Sequence, residues 1–88
     1  MKNLTNEIIN NLPLLSNTNT NTNTIINGVP LTFKADTGTY IISTHYTHNT
    51  NIQPPTDLIH NGKFYLTFFE VINYLTSITE ARNNGASF

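Results

Sequence analysis

The chain opens with apolar residues at helical spacing. Leu4, Ile8 and Leu12 follow one another at intervals of four, with Ile9 beside them, which is the spacing of one apolar stripe on a helix. Pro13 stops such a helix, because proline has no N–H and its ring clashes with the preceding turn. The pattern predicts a helix from Leu4 to Leu12, which must pack on the rest of the chain to persist.

Residues 16–24 contain no apolar side chain and read Ser-Asn-Thr-Asn-Thr-Asn-Thr-Asn-Thr. Low-complexity polar sequence of this kind favours a solvated linker. The alternative is an edge strand, because threonine favours strands and the two-residue period matches the pleat, although asparagine weakens a strand.

Two Asn-Gly pairs predict two tight β-hairpins, because this dipeptide accepts the positive φ angles of a type I′ turn. The pairs are Asn27-Gly28 and Asn61-Gly62. The predicted strands are residues 25–26 and 29–33 around the first pair, and residues 58–60 and 63–66 around the second. Pro30 cannot donate a ladder hydrogen bond, so we expect it at an edge or at the start of a strand.

The best strand pattern lies between the two hairpins. A turn at residues 36–38 leads into a predicted strand from Thr39 to Thr47, in which alternate residues share a face. The face expected to point inward carries Tyr40, Ile42, Thr44 and Tyr46. Residues 48–56 are predicted to form a loop that Pro54-Pro55 stiffens.

Thr67 and Glu70 begin the clearest helix signal. Their spacing is that of a capping box, in which the threonine hydroxyl accepts the N–H of Glu70 and the carboxylate reaches back. Residues 83–85, Asn-Asn-Gly, predict the end of the helix. The apolar residues at helical spacing between these limits are Phe68, Val71, Ile72, Leu75 and Ile78.

These elements predict one small α+β domain over residues 1–88. A short N-terminal helix, an antiparallel β-meander of four or five strands and a covering C-terminal helix make two layers. The chain has 88 residues, so its core is small, and a homodimer that buries further surface is a second expectation.

Cysteine and charge are both scarce. The absence of cysteine excludes a disulfide framework and a thiolate zinc site. The first residues lack the apolar stretch of a signal peptide, and no run approaches the ~18 apolar residues of a membrane span, so we expect a cytoplasmic protein without a membrane contact. Four spread lysines and arginines predict no basic stripe for nucleic acid. The polarity comes instead from fifteen asparagines and fifteen threonines.

No group of residues predicts catalysis, a cofactor or a metal site. The histidines are His45, His48 and His60, and their spacing fits no zinc motif, since residues three apart on a strand point to opposite faces. The carboxylates that would serve as acid and base are Asp36, Asp57 and Glu70. Each has a structural role in a turn, a loop or a helix cap, so the sequence predicts a protein that is not an enzyme.

Aromatic residues cluster where the last predicted strand meets the last helix. They cannot all point inward, because neighbouring strand residues face opposite sides and neighbouring helix residues lie about 100° apart. Burial in the core is the usual fate of such rings, and the alternative is an anchor patch for another protein. The candidate patch residues are Phe64, Tyr65, Phe69 and Tyr74.

The function expected from these observations is a non-enzymatic protein-binding module that occludes or modulates a larger partner. Compact, asparagine-rich single domains are common products of phages and mobile elements. One expectation is therefore an inhibitor of host or defence machinery, in the manner of an anti-CRISPR protein. The alternative is a weak nucleic-acid-binding or regulatory domain, in which bases stack on sheet-borne aromatic rings.

Overall fold

Three helices and five strands follow one another along the part of the chain that the structure describes. A computed structural model describes residues 4–48, 50 and 52–85, with the side chain of His48 excepted. The elements are α1 (Leu4–Asn11), β1 (Thr22–Ile26), β2 (Val29–Lys34), β3 (Thr39–Ser43), α2 (Thr44–His48), β4 (Ile59–His60), β5 (Lys63–Leu66) and α3 (Phe68–Asn83).

The strands form one antiparallel sheet in the order β1-β2-β3-β5-β4. The two longer helices pack on each other and on one face of this sheet, where the alternate strand residues are buried. The predicted α+β two-layer architecture, with an N-terminal helix and a covering C-terminal helix, is confirmed, and the sheet has five strands.

Both predicted Asn-Gly hairpins are present. Asn27 and Asn61 each have a φ of 51°, and the glycines that follow have φ angles of 81° and 74°. These left-handed conformations are those of a type I′ turn, whose twist matches the twist of the flanking strands. The turns therefore fix the registers that place Ile26 opposite Val29 and His60 opposite Lys63.

The Asn/Thr tract is divided between the two structures predicted for it. Residues 16–21 form turns and loop, whereas the last three residues of the tract belong to β1, which is an edge strand. Asparagine side chains attach the tract to β2 and to the turn that follows it. The amide oxygen of Asn21 accepts the N–H of Ala35 at 3.0 Å, and that of Asn23 accepts the hydroxyl of Thr32 at 2.7 Å.

The strand predicted from Thr39 to Thr47 is too long, because β3 ends at Ser43 and α2 begins at the next residue. Short polar side chains make local backbone hydrogen bonds at this point. The Ser43 hydroxyl accepts the N–H of His45 at 3.1 Å, and the Thr47 hydroxyl donates to the carbonyl oxygen of Thr44 at 2.9 Å. Such bonds offer the backbone an alternative to the strand ladder, and they begin a helix here.

Two residues predicted to face inward on that strand consequently lie in α2. Thr44 donates its hydroxyl to the carbonyl oxygen of Gly62 at 3.0 Å, so it ties α2 to the second hairpin turn. Tyr46 packs partly buried against the core, and its hydroxyl accepts a hydrogen bond from Arg82 at 2.9 Å. The inward orientation predicted for Tyr40 and Ile42 is confirmed, since both side chains are buried.

The core lies between the sheet and the helices. The Tyr40 hydroxyl donates to the carbonyl oxygen of Pro13 at 2.6 Å, so it fixes the end of α1 to the middle of the sheet. The buried apolar residues are Ile8, Leu12, Ile26, Val29, Leu31, Phe33, Tyr40, Ile42, Phe64, Leu66, Val71, Ile72, Tyr74, Leu75 and Ile78.

The predicted capping box begins α3. The Thr67 hydroxyl accepts the N–H of Glu70 at 3.3 Å, and the Glu70 carboxylate accepts the N–H of Thr67 at 2.8 Å. We expect Thr67→Ala to lower the free energy of unfolding by about 1 kcal/mol, because it removes one acceptor of the helix N-terminus. Urea denaturation measures this change. Ser77→Ala, on the exposed side of the same helix, should stay within about 0.5 kcal/mol of the parent protein, and an equal loss in both variants would contradict the role of the cap.

Candidate interaction surface

The second face of the sheet is not covered by any of the described helices. Its strand residues alternate with those of the buried face, and their side chains are exposed or half-buried. Leu58 extends the face beyond β4, since its carbonyl oxygen accepts the N–H of Tyr65 at 2.9 Å. We call this surface the open face. Its residues are Asn23, Ile25, Pro30, Thr32, Lys34, Thr39, Ile41, Ser43, Leu58, His60, Lys63 and Tyr65.

Apolar side chains cross the open face from one edge of the sheet to the other. Ile25 lies opposite Pro30 at the β1 edge, and Ile41 lies opposite Tyr65 at the centre. Ile25 is 71% exposed, and Leu58, at the β4 edge, is 66% exposed. A contiguous apolar patch of more than roughly a few hundred Å² is rare on monomeric proteins and marks an interaction site where it occurs.

Two shallow depressions mark the open face. One lies over β1, β2 and β3 and includes Ile25, Ile41 and Lys63 in its lining. The other lies over the opposite end of β3 and includes Lys34 and Tyr65. Neither lining contains a carboxylate, so the lysines give this surface a positive charge.

The described lysines and carboxylates lie on different parts of the domain. Among the described residues, both lysines lie on the open face, at Lys34 and Lys63. The glutamates lie in the helices, and the aspartates lie in the turn after β2 and the loop before β4. The formal net charge of the chain is only −1, and Arg82 adds a cation to the helical side. The open face differs in that its lysines, Lys34 and Lys63, have no carboxylate among the residues of that face.

Two members of the predicted aromatic patch lie in the core. Phe64 is 5% exposed, because it pairs with Ile42 on the face that the helices cover. Tyr74 is 1% exposed, because it falls on the same buried stripe of α3 as Val71 and Ile78. The prediction that these two rings form part of a binding patch is therefore wrong.

The other two patch residues are accessible but lie on different elements. Tyr65 is half-buried on the open face, whereas Phe69 is 75% exposed in the first turn of α3. The Phe69 ring makes an edge-to-face contact with Phe68 at a centroid distance of 5.5 Å. Tyr65 consequently belongs to the open face, and Phe69 is an exposed ring of the helical layer.

The sequence prediction missed most of the open face because it concentrated on aromatic rings. The signal that could have identified the open face was the alternation along each strand, in which every second side chain shares a face. In β2 and β5, Lys34 and Lys63 each neighbour a buried phenylalanine in the sequence, so each lysine must point to the opposite face. The sequence pattern does not show that α1 and α3 pack on the same side of the sheet, so it does not show which face stays uncovered.

Burial raises the pKa of the Tyr40 and Tyr74 hydroxyls above the ordinary value for tyrosine, since a buried phenolate loses its hydration. Both groups are therefore neutral at physiological pH. For Tyr74, the nearby Thr50 hydroxyl opposes this shift. Both rings belong to the buried core.

The described residues contain no group of three or more histidine, cysteine, aspartate or glutamate side chains placed to hold a metal ion. His45 is exposed in α2 and His60 is exposed in β4. The side chain of His48 lies outside the described part of the structure. None of the described helices is long and apolar enough to cross a membrane.

Comparison of the chain with protein-family models, with curated proteins and with solved structures finds no match. No relative therefore assigns a role to any residue. The open face is the surface feature of the described residues that combines exposed apolar side chains with a distinct charge, and it is the basis of the function proposed below.

Proposed function

We propose that this protein is a non-enzymatic protein-binding module that occludes or modulates a larger partner, and that it binds through the open face. The observation that carries the proposal is the row of apolar side chains on that face, from Ile25 through Ile41 to Leu58, which no described helix covers. Burial of such side chains against another protein removes apolar surface from water, which is the main favourable term in protein association.

The dimensions of the domain support a protein partner. Its principal extents are 37 × 34 × 18 Å, so the domain is a slab, as expected for one sheet covered by one layer of helices. A specific interface needs about 800 Å² on each partner, and a broad side of this slab is large enough to supply it. Threonine and serine hydroxyls around the apolar row provide the polar component that such interfaces contain.

A nucleic-acid ligand is the second candidate, and the position of Tyr65 on the same face as Lys34 and Lys63 favours it. Tyrosine rings on a sheet are stacking platforms for unpaired bases. Two lysines neutralise few phosphates, so the electrostatic contribution to binding is small. The logarithm of the binding constant should fall with the logarithm of the salt concentration with a slope of about −1.4 for a single strand. The apolar row has no role in this alternative, and we therefore favour a protein partner.

The partner class that we propose from the composition is host or defence machinery, such as a CRISPR complex. Affinity capture of the tagged protein from a host lysate, followed by mass spectrometry, tests this proposal. We expect a stoichiometric protein partner. Recovery of nucleic acid alone, lost when the salt concentration is raised, would favour the second candidate.

Paired variants test whether the open face makes the contact. We expect Ile25→Thr combined with Leu58→Thr to reduce capture of the partner at least about tenfold, since each change removes an apolar anchor from the interface. Leu15→Thr combined with Phe69→Thr is the matched control, because Leu15 and Phe69 are 62% and 75% exposed outside the open face.

Both double variants should melt near the temperature of the parent protein, because all four side chains are exposed. Loss of capture in the Leu15/Phe69 variant, with normal capture in the Ile25/Leu58 variant, would place the interface on the helical side and refute the open-face proposal.

A further inference from the structure

The two described lysines stand at the two ends of a diagonal across β2, β3 and β5 on the open face. Lys34 lies opposite Thr39 at one end of β3, and Lys63 lies opposite Ser43 at the other end. β3 runs between the strands that carry them. The lysines are therefore separated by four residues along a strand and by two strand spacings, which places their backbones about 16 Å apart.

Apolar side chains lie between the two lysines on the open face. Ile41 and Tyr65 face each other across β3 and β5 at the midpoint of the diagonal. His60 pairs with Lys63, so it adds a third nitrogen-bearing side chain at the Lys63 end of the diagonal. No carboxylate lines either depression. An acidic group that approaches the open face would therefore be attracted electrostatically by each of the two lysines.

We propose that the occupant of the open face is an acidic segment of the partner protein, with two carboxylates that meet Lys34 and Lys63 and an apolar side chain between them that packs on Ile41 and Tyr65. This inference rests on the proposed function and gives the partner its chemistry. An extended segment advances about 3.3 Å per residue. Carboxylates four to six residues apart, on the same side as a central apolar residue, match the diagonal when the reach of the lysine side chains is included.

A second copy of the chain fits this surface less well. Two open faces placed against each other would bring lysines together without a carboxylate to meet them, and like charges at an interface are unfavourable. Charge complementarity therefore favours a different, acidic chain over a face-to-face homodimer.

Peptide titration followed by NMR tests the inference. The probes are a peptide centred on Glu-Thr-Leu-Thr-Glu, the same peptide with both glutamates changed to glutamine, and an oligonucleotide of twelve thymidines. We expect the acidic peptide to shift the backbone amides of Ile41, Lys63 and Tyr65, and to bind about tenfold more tightly than the neutral peptide at low salt, since each exposed ion pair contributes about threefold.

Charge variants identify the lysines as the cause. Lys34→Gln combined with Lys63→Gln should erase the preference for the acidic peptide. Thr5→Glu combined with Asn73→Glu is the control, because it changes the net charge by the same −2 at exposed helix positions, and it should retain the preference. Raised salt should reduce binding of the acidic peptide alone.

Three results would overturn the inference. Equal binding of the acidic and neutral peptides would remove the charge requirement while leaving the open face as a protein-binding surface. Tighter binding of the oligonucleotide than of the acidic peptide would change the class of ligand. The absence of amide shifts with any probe at millimolar concentration would refute an acidic segment as the occupant. Failure of the Ile25/Leu58 capture test is a separate result, which refutes the proposed function itself.

Discussion

Phe64→Ala should lower the free energy of unfolding by about 3–5 kcal/mol, whereas Phe69→Ala should lower it by less than about 1 kcal/mol. The two residues are the same amino acid, five positions apart. Phe64 is 5% exposed between the sheet and the helices, and its removal leaves a cavity. Phe69 is 75% exposed, and its described ring contact is with Phe68 alone.

Urea denaturation followed by circular dichroism measures both changes. A domain of this size has a total stability on the order of 4–13 kcal/mol, so Phe64→Ala can approach complete unfolding. Phe64→Leu keeps most of the apolar volume and should cost about 1–1.5 kcal/mol, which keeps the measurement within range. A Phe69→Ala loss as large as that of Phe64→Ala would contradict the exposure of Phe69.

The parts of the fold that the sequence predicted correctly are those determined by local chemistry. The Asn-Gly dipeptides determine their turns because few other residues accept the positive φ angles found there. The capping box determines the start of α3 through hydrogen bonds between Thr67 and Glu70, three residues apart. Such signals need no knowledge of the rest of the molecule.

The parts that it predicted wrongly depend on competition or on tertiary packing. The alternating pattern typical of a strand continues in the sequence beyond Ser43. The strand nevertheless ends there, because serine and threonine side chains make local hydrogen bonds with the backbone. Tyr74 was assigned to the candidate aromatic patch. Its position on the buried stripe of α3 places it in the core.

The candidate site could be predicted only in part for the same reason. The alternation in β5 shows that Phe64 and Tyr65 point to opposite faces, but it does not show which face the helices cover. The open face also joins residues from all five strands, from Ile25 in β1 to His60 in β4. Their proximity follows from the strand order, in which β5 lies between β3 and β4.

Gly28→Ala should destabilise the protein more than Gly62→Ala, although both glycines occupy the same position of the same turn type. Their φ angles are 81° and 74°, and a side chain in this region costs about 1–2 kcal/mol. A Cβ atom at Gly62 would have the Thr44 hydroxyl 3.7 Å away, which is an ordinary contact, whereas at Gly28 it would lie 3.0 Å from Nη1 of Arg82.

The Arg82 guanidinium, which lies close to Gly28, is held by hydrogen bonds to two other residues. Nη1 of Arg82 donates to the carbonyl oxygen of Asn27, and Nη2 donates to the Tyr46 hydroxyl at 2.9 Å. A methyl group at Gly28 requires Nη1 to shift by a few tenths of an ångström, which weakens its bond to Asn27, and a hydrogen bond to a charged group is worth about 1.5–3 kcal/mol. We therefore expect urea denaturation to show a loss of about 1–2 kcal/mol for Gly62→Ala and about twice that for Gly28→Ala.

A double-mutant cycle separates the contact with Arg82 from the backbone strain. In an Arg82→Ala background the guanidinium is already gone, so Gly28→Ala should cost only as much as Gly62→Ala. The coupling between Gly28 and Arg82 then measures how strongly Arg82 joins the first hairpin turn to α2 and α3. Additive effects of the two changes would show that Arg82 moves aside without cost, and the first turn would then be held by its own φ angles and by the hydrogen bond from Asn27 to Thr79 at 3.0 Å.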